Sequence, residues 1–302
     1  MTTTTMSSTG LVERPLRGFV LILGATLLFA ANDATNKFLL TEYNAPLVTA
    51  IRYIVHCLLM LAVVAPIQKQ LMFKTRRTGL VLVRAVCLAT GSLLMAFALQ
   101  RMPIAEATAI VYLSPILVIL LAGLLLNEEV GIIGWVAAGM GFAGVLLIVR
   151  PGSGLDPIGV ALVLCNVAAA VGYHLLSRVL ASTERTVALL FYTALAGAIL
   201  FGLALPWTLY GEVPTPIQVM LFISLGVTAG LGHYLFTAAY RYAPANLLAP
   251  MNYMHLVWAA LLGWLVFNHA PEPLTLIGIA IIALAGVLSA LRTRRPVPVE
   301  PA

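Results

Sequence analysis

Residues 143–150 read AGVLLIVR and residues 285–292 read AGVLSALR: the same Ala-Gly-Val-Leu, followed four residues later by Arg150 and Arg292. Chains rich in Leu and Ala match themselves by chance, so rarer residues must fix the register. At a constant offset of 141, one less than between these two segments, Gly18 meets Gly159, Lys37 meets Arg178 and Gly91 meets Gly232. At that offset Pro103 also meets Pro244, Tyr112 meets Tyr253 and Asn127 meets Asn268. A register kept over most of each half marks an internal duplication.

The composition says what was duplicated. Of 302 residues, 61% are hydrophobic and 9% charged, with a mean hydropathy of +1.02. Average soluble proteins carry about 25% charged residues, and a soluble fold of this size cannot hide so much apolar surface. Disorder is excluded for the opposite reason, since it needs low hydrophobicity and high charge. Cys57, Cys87 and Cys165 lie far apart inside apolar runs, which is no disulfide framework. The net charge of +6 would hint at nucleic acid in a soluble chain, but here it reads as membrane topology.

A helix crosses the hydrocarbon layer with about 20 apolar residues. Ten such runs lie near 17–39, 45–66, 79–100, 103–126, 130–149, 157–180, 186–207, 216–240, 243–267 and 273–291. The expected fold is therefore an all-α polytopic membrane protein with ten transmembrane helices. The duplication divides them into residues 17–151 and 152–292, with tails at 1–16 and 293–302. Five helices per copy is an odd number, so the two copies lie inverted with respect to each other. With both termini in the cytoplasm, the inner span ends hold twelve Lys and Arg (Arg14, Arg17, Lys69, Lys74, Arg76, Arg77, Arg178, Arg185, Arg241, Arg292, Arg294 and Arg295). The outer ends hold three, Lys37, Arg101 and Arg150. That bias fits the positive-inside rule and a bacterial inner membrane. The first run is read as helix one and not as a signal peptide, because no basic residue precedes Arg14 and the run is long for a signal core.

Residues 103–152, PIAEATAIVYLSPILVILLAGLLLNEEVGIIGWVAAGMGFAGVLLIVRPG, resemble the EamA-type domain of the drug/metabolite transporter superfamily, as do Arg52 and Arg84 in helices two and three. Asn127-Glu128 stands where the family has Gly-Glu, and the second copy has Asn268-His269 there. The segment Ala31–Lys37, ANDATNK, is similar to the first helix of S-adenosylmethionine uptake transporters within this superfamily. The resemblance covers residues 16–292 and implies membrane transport, with helices one, four, six and nine lining a central cavity.

Ionisable groups inside a bilayer cost at least about 2.5–3.5 kcal/mol, so each is a candidate for a site. Asp33 precedes Lys37 by four residues, the favoured order for a helical ion pair. It reads equally as half of that pair or as the group that holds a substrate ammonium or a coupling proton. Its repeat counterpart is His174, a proton-coupling candidate or a packed side chain. Arg52, one turn before His56, either snorkels or captures a substrate carboxylate. Arg84 reads as an anchor or a strut, and Glu106 as a partner of Arg101 or a third proton candidate. Near half depth stand Tyr112, Ser114, Asn252, Tyr253 and His255, with Asn252 and His255 on one helix face. Pro115 and Pro250 free backbone carbonyls in the same runs, as ordinary kinks or as part of a wet cavity. Gly226 with Gly230, and Ala137 with Gly141, make small-residue grooves for helix packing.

The sequence contains no P-loop, HExxH, CxxC, GxSxG or DDxxD, and its five histidines lack metal-ligand spacing. No catalytic residues, metal or cofactor are expected. The expected activity is secondary transport of a small zwitterionic or cationic metabolite, such as an amino acid or S-adenosylmethionine. It would proceed by alternating access around a midplane site, with protons, exchange or simple facilitation as the coupling. A lipid-modifying membrane enzyme and a channel are the alternatives. The expected partners are a small-molecule substrate and the lipid bilayer, with a homodimer as the assembly and no role for nucleic acid.

Overall fold

The computed structural model describes residues 15–125, 132–150, 154–180, 183–209, 213–239, 242 and 249–292. Eleven helices organise them: α1 (Pro15–Leu39), α2 (Ala45–Leu59), α3 (Thr78–Leu99), α4 (Ile104–Val111), α5 (Leu113–Leu125), α6 (Ile132–Val149), α7 (Pro157–Leu180), α8 (Thr186–Thr208), α9 (Pro216–Ala239), α10 (Met254–Phe267) and α11 (Pro273–Arg292). A π turn, Met60–Val64, carries α2 on into Ala65–Gln68 just ahead of Pro66, where the missing proline N–H interrupts the regular ladder. The described residues contain no strand.

Seven of the helices are long and apolar enough to cross a membrane, and Ile104–Val118, Met251–Phe267 and Pro273–Leu288 are shorter apolar segments. In two of these three the regular helix is interrupted inside the expected span. Pro115 has no N–H to offer the Val111 carbonyl, and the helix breaks between them at Tyr112. In the second copy Ala249–Tyr253, which includes Pro250, is a 3₁₀ turn that leads into α10. Both prolines thus sit at a break, and the breaks fall at repeat-related tyrosines. The part of the expected ninth span at 243–248 lies outside the described residues, as does the Asn127-Glu128 motif.

Local chemistry sets the helix ends. Asn44 caps α2 by accepting from the Leu47 N–H at 2.9 Å. Thr215 and Gln218 form a reciprocal capping box at α9 around Pro216. Asp156 accepts from the Ile158 N–H at the start of α7, and Arg101 donates to its other oxygen at 3.0 Å. Those two bonds hold the Asp156 carboxyl below its ordinary range, the Arg101 bond being the larger cause. Asn268 ends α10 in the left-handed conformation (φ 52°), and the following His269 N–H returns to the Gly263 carbonyl.

The two copies interlock. The first helix of each copy packs on the third of the other, α1 on α9 and α7 on α3, while α2 packs on α8 and α6 on α11. At the α6–α11 crossing a side chain on Gly144 would meet the Gly278 carbonyl, and one on Gly278 would meet that of Gly144. Only glycine permits this backbone contact. Gly226 likewise seats Val55 and His56, and Gly141 seats Ile116, so both small-residue grooves serve packing.

The loops sort into two ends. Lys37 donates to the Leu99 and Met102 carbonyls, Arg101 pairs with Asp156, Arg150 with Glu272, Asn44 with the Thr208 carbonyl, and Gln218 with Glu42. These contacts gather residues 40–44, 100–103, 150, 154–156, 208–209, 213–218 and 268–272 at one end. At the other end the Glu184 carboxylate accepts from the Arg76 and Arg77 N–H groups ahead of α3, placing an anion where a helix N-terminus favours one. Outward-facing side chains between the ends are apolar, with Trp135, Trp207 and Trp264 all more than half exposed. An aqueous surface of that kind would aggregate. The chain is a multi-pass membrane protein.

Candidate functional site

A cavity of about 440 Å³ lies in the middle of the bundle, bordered by α1, α2, α3, α7, α8, α9 and both helix breaks. That is within the range of small-molecule sites. Toward the end that gathers residues 40–44 and 100–103, Leu39, Leu99, Met102 and Ile104 are buried. His174 is exposed and lines the cavity.

The two breaks meet at its wall. The Tyr112 hydroxyl donates to the Asn252 carbonyl at 2.7 Å, satisfying a backbone group that the 3₁₀ turn leaves free. The Tyr112 and Tyr253 rings lie 5.0 Å apart, and His255 is 6.0 Å from Tyr112. From there rings continue along one side. Phe29 sits 6.3 Å from His255, 5.0 Å from His233 and 6.3 Å from Phe236. Gly232 makes room for the Phe29 ring, since a side chain there would collide with it.

Other lining residues are polar. Arg52 borders the cavity with its guanidinium 5.1 Å from the Tyr53 ring, and no carboxylate pairs with it among the described residues. The Tyr53 hydroxyl shares a 2.9 Å bond with Ser92. Asn166 is 8% exposed; its Nδ2 donates to the Gly91 carbonyl at 2.5 Å, and its Oδ1 has no protein partner. Asn252 Oδ1 is also without one. Such orphans at a cavity wall are where water or ligand is satisfied.

Of the residues singled out from sequence, Arg52, Tyr112, Ser114, His174, Asn252 and His255 border the cavity, and Asp33, Glu106 and Tyr253 do not. Tyr253 stands behind Tyr112, its hydroxyl seated against Gly286. Asp33 does not close on Lys37. Its Oδ2 lies 3.3 Å from His255 Nε2, which makes no aligned hydrogen bond. Lys37 instead serves the carbonyls at the end of α3, the part of a helix that favours a cation. Glu106 does not pair with Arg101. Its Oε1 is 3.4 Å from His269 Nε2 near the closed end, and Oε2 is unpartnered.

Arg84 is a strut. It donates to Ser177 Oγ, Tyr173 Oη, Thr193 Oγ1 and the Leu189 carbonyl, and its guanidinium lies 4.3 Å from the Tyr173 ring. Sequence reasoning missed His56, His233, Asn166 and Tyr173 as cavity residues. His56 carried a signal in its spacing from Arg52. Asn166 and His233 carried only the cost of a polar group in an apolar run. Among the described residues no three His, Cys, Asp or Glu side chains converge as a metal set.

Comparison with known proteins places the geometry. The EamA-like transporter family model matches residues 16–150 and again 157–291. An S-adenosylmethionine uptake transporter of Rickettsia bellii is 27% identical over 255 residues, 84% of this chain and 86% of that one. A riboflavin transporter of Vibrio cholerae is 28% identical over 285 residues, 90% and 92% of the two chains. A solved crystal structure shares the fold with a TM-score of 0.62 at 22% identity, over 93% of this chain and 98% of that one. With both copies of the domain matched and almost the whole chain spanned, this protein belongs to the EamA-like transporter family.

Proposed function

We propose that the protein is a secondary carrier that moves a small metabolite by alternating access, its two five-helix copies inverted across ten membrane crossings. The observation that carries this reading is the central cavity, built where the broken helices of the two copies meet and closed toward one end. Broken helices at a repeat interface are a recurring plan for carrier sites. The sorting of loops into two ends supports an alternating path through the bilayer. In this reading the end that gathers residues 40–44 and 100–103 is the outer one, and the basic residues near Arg76, Arg77 and Arg185 support a cytoplasmic position for the other at a bacterial inner membrane.

Substrate contacts fall to Arg52, Tyr112, Ser114, Asn252 and His255, with Tyr253 and Asp33 supporting them from behind. Arg52 receives the carboxylate of a zwitterion, while Asp33, reached through His255, accepts a coupling proton. His174, exposed at the cavity, and Glu106, at the outer end, are the further proton sites. The names of the two relatives suggest S-adenosylmethionine and riboflavin as first substrates to try.

Counterflow in proteoliposomes tests the reading. Labelled S-adenosylmethionine, riboflavin and a mixed amino-acid pool are offered to vesicles preloaded with the same compounds. Saturable exchange that falls about tenfold or more in Asp33→Asn is expected. Non-saturable flux without counterflow would make the protein a channel, and exchange that survives in Asp33→Asn would remove the acid from the mechanism.

A further inference from the structure

The composition of the cavity wall narrows what it holds. One side presents a run of flat rings, Phe236, Phe29, His255 and Tyr112, with each neighbouring pair 6.0–6.3 Å apart. The lining also includes Arg52, a guanidinium in the membrane interior with no carboxylate to balance it among the described residues. An unbalanced cation at this depth is costly, and an anionic group arriving with the ligand offsets that cost by a charge-assisted bond. The third feature is the acceptor pair Asn166 Oδ1 and Asn252 Oδ1, both buried and unpartnered. Acceptors without donors call for N–H or O–H groups on the ligand. Among the described residues no Asp or Glu borders the cavity, and Asp33 reaches no nearer than its 3.3 Å contact with the lining residue His255.

From these we infer that the cavity binds a flat aromatic or heteroaromatic metabolite that carries an acidic group and hydrogen-bond donors, its ring along the Phe29–His255–Tyr112 side and its acid on Arg52. The assignment rests on the carrier reading only in taking the central cavity as the substrate site. The acid and the ring are both required. A ring-free acid leaves the aromatic side facing water, and a ring-bearing amine brings a second positive charge to Arg52 with no carboxylate to receive it. The sign of the recognition is therefore anionic at one pole and neutral along the ring, even where the whole molecule is a zwitterion.

Thermal unfolding of the full chain in detergent tests this without a transport cycle. The ring acids are L-tryptophan, S-adenosylmethionine and flavin mononucleotide; the ring-free acids are L-leucine and L-glutamate; tryptamine and adenosine carry a ring without an acid. At least one ring acid should raise the unfolding temperature in a saturable way, with the other two groups silent at the same concentrations. Arg52→Gln should raise the half-saturating concentration about tenfold or more, Arg52→Lys should recover part of it, and Phe29→Ala should weaken ring acids alone. All three variants are scored against their own ligand-free unfolding temperature, so a folding defect is seen separately. Equal stabilisation by leucine or by tryptamine, or none by any ring acid, would overturn the assignment. Counterflow of a ring-free solute alone would also defeat it while the carrier reading stood, and binding without exchange would do the reverse.

Discussion

Asn32 and Tyr173 occupy the same place in the two copies, as do Leu225 and Arg84, and the structure brings each crossed pair together. On the α1–α9 face Asn32 Nδ2 donates to the Leu225 carbonyl at 2.7 Å and to Thr228 Oγ1 at 2.8 Å. On the α7–α3 face the bond runs the other way, from the Arg84 guanidinium to the Tyr173 hydroxyl at 2.8 Å, with three further acceptors around it. Duplication dictates which positions meet. It leaves free what chemistry meets there, and this chain has placed a neutral amide on one face and a membrane-buried cation on the other.

The largest test of that contrast is Arg84→Leu against Asn32→Leu. Removing the guanidinium takes four hydrogen bonds at once from Ser177, Thr193, Tyr173 and the Leu189 carbonyl, and a loss of about 3 kcal/mol or more in detergent unfolding is expected. Asn32→Leu abandons one amide and should cost about 1–2 kcal/mol. Equal losses would mean that the two faces are interchangeable after all.

A second test uses the repeated Ala-Gly-Val-Leu, whose glycines have parted in role. Gly144 faces the backbone of α11 at Gly278, whereas Gly286 faces the Tyr253 side chain. Gly144→Ala should cost about 1–3 kcal/mol, because a carbonyl cannot step aside. Gly286→Ala should cost less in stability yet shift the near-ultraviolet tyrosine signal, since the Tyr253 ring must leave Tyr112. An unchanged signal would show that the ring does not yield.

The smallest effect belongs to Asp156, at the loop between the copies. Its carboxyl is held below the ordinary value by Arg101 and the Ile158 N–H. Its contribution is therefore present above pH about 4 and lost as the pH falls through the lower folded value. Asp156→Asn should flatten that acid limb in unfolding temperatures taken across pH, and an unaltered limb would show that other carboxylates carry it.

Much of the bundle was legible in the sequence because the bilayer demands long apolar runs and the duplication repeats them. Pro115 and Pro250, which read as kinks or as part of a wet cavity, lie three residues after Tyr112 and three before Tyr253, where the structure has its breaks. Arg52, Tyr112, Ser114, His174, Asn252 and His255 were found by the cost of polar atoms at depth. For Asp33 and Lys37 the spacing left two readings open: spacing along one helix says that two groups can meet, and here groups on other elements stand against each of them. Asn166 and His233 were hidden because a single polar residue in an apolar run has no local pattern, and only the packing of α7 and α9 aims them inward.

The interlocking of the copies also has a consequence for biosynthesis. All four groups that Arg84 donates to lie 89 to 109 residues further along the chain. At ribosomal speeds that is a wait on the order of five to twenty seconds. During it the first copy carries the Arg84 guanidinium and the Asn32 amide before their partners are made. The first copy thus depends on the second, made later, to satisfy its own buried polar groups.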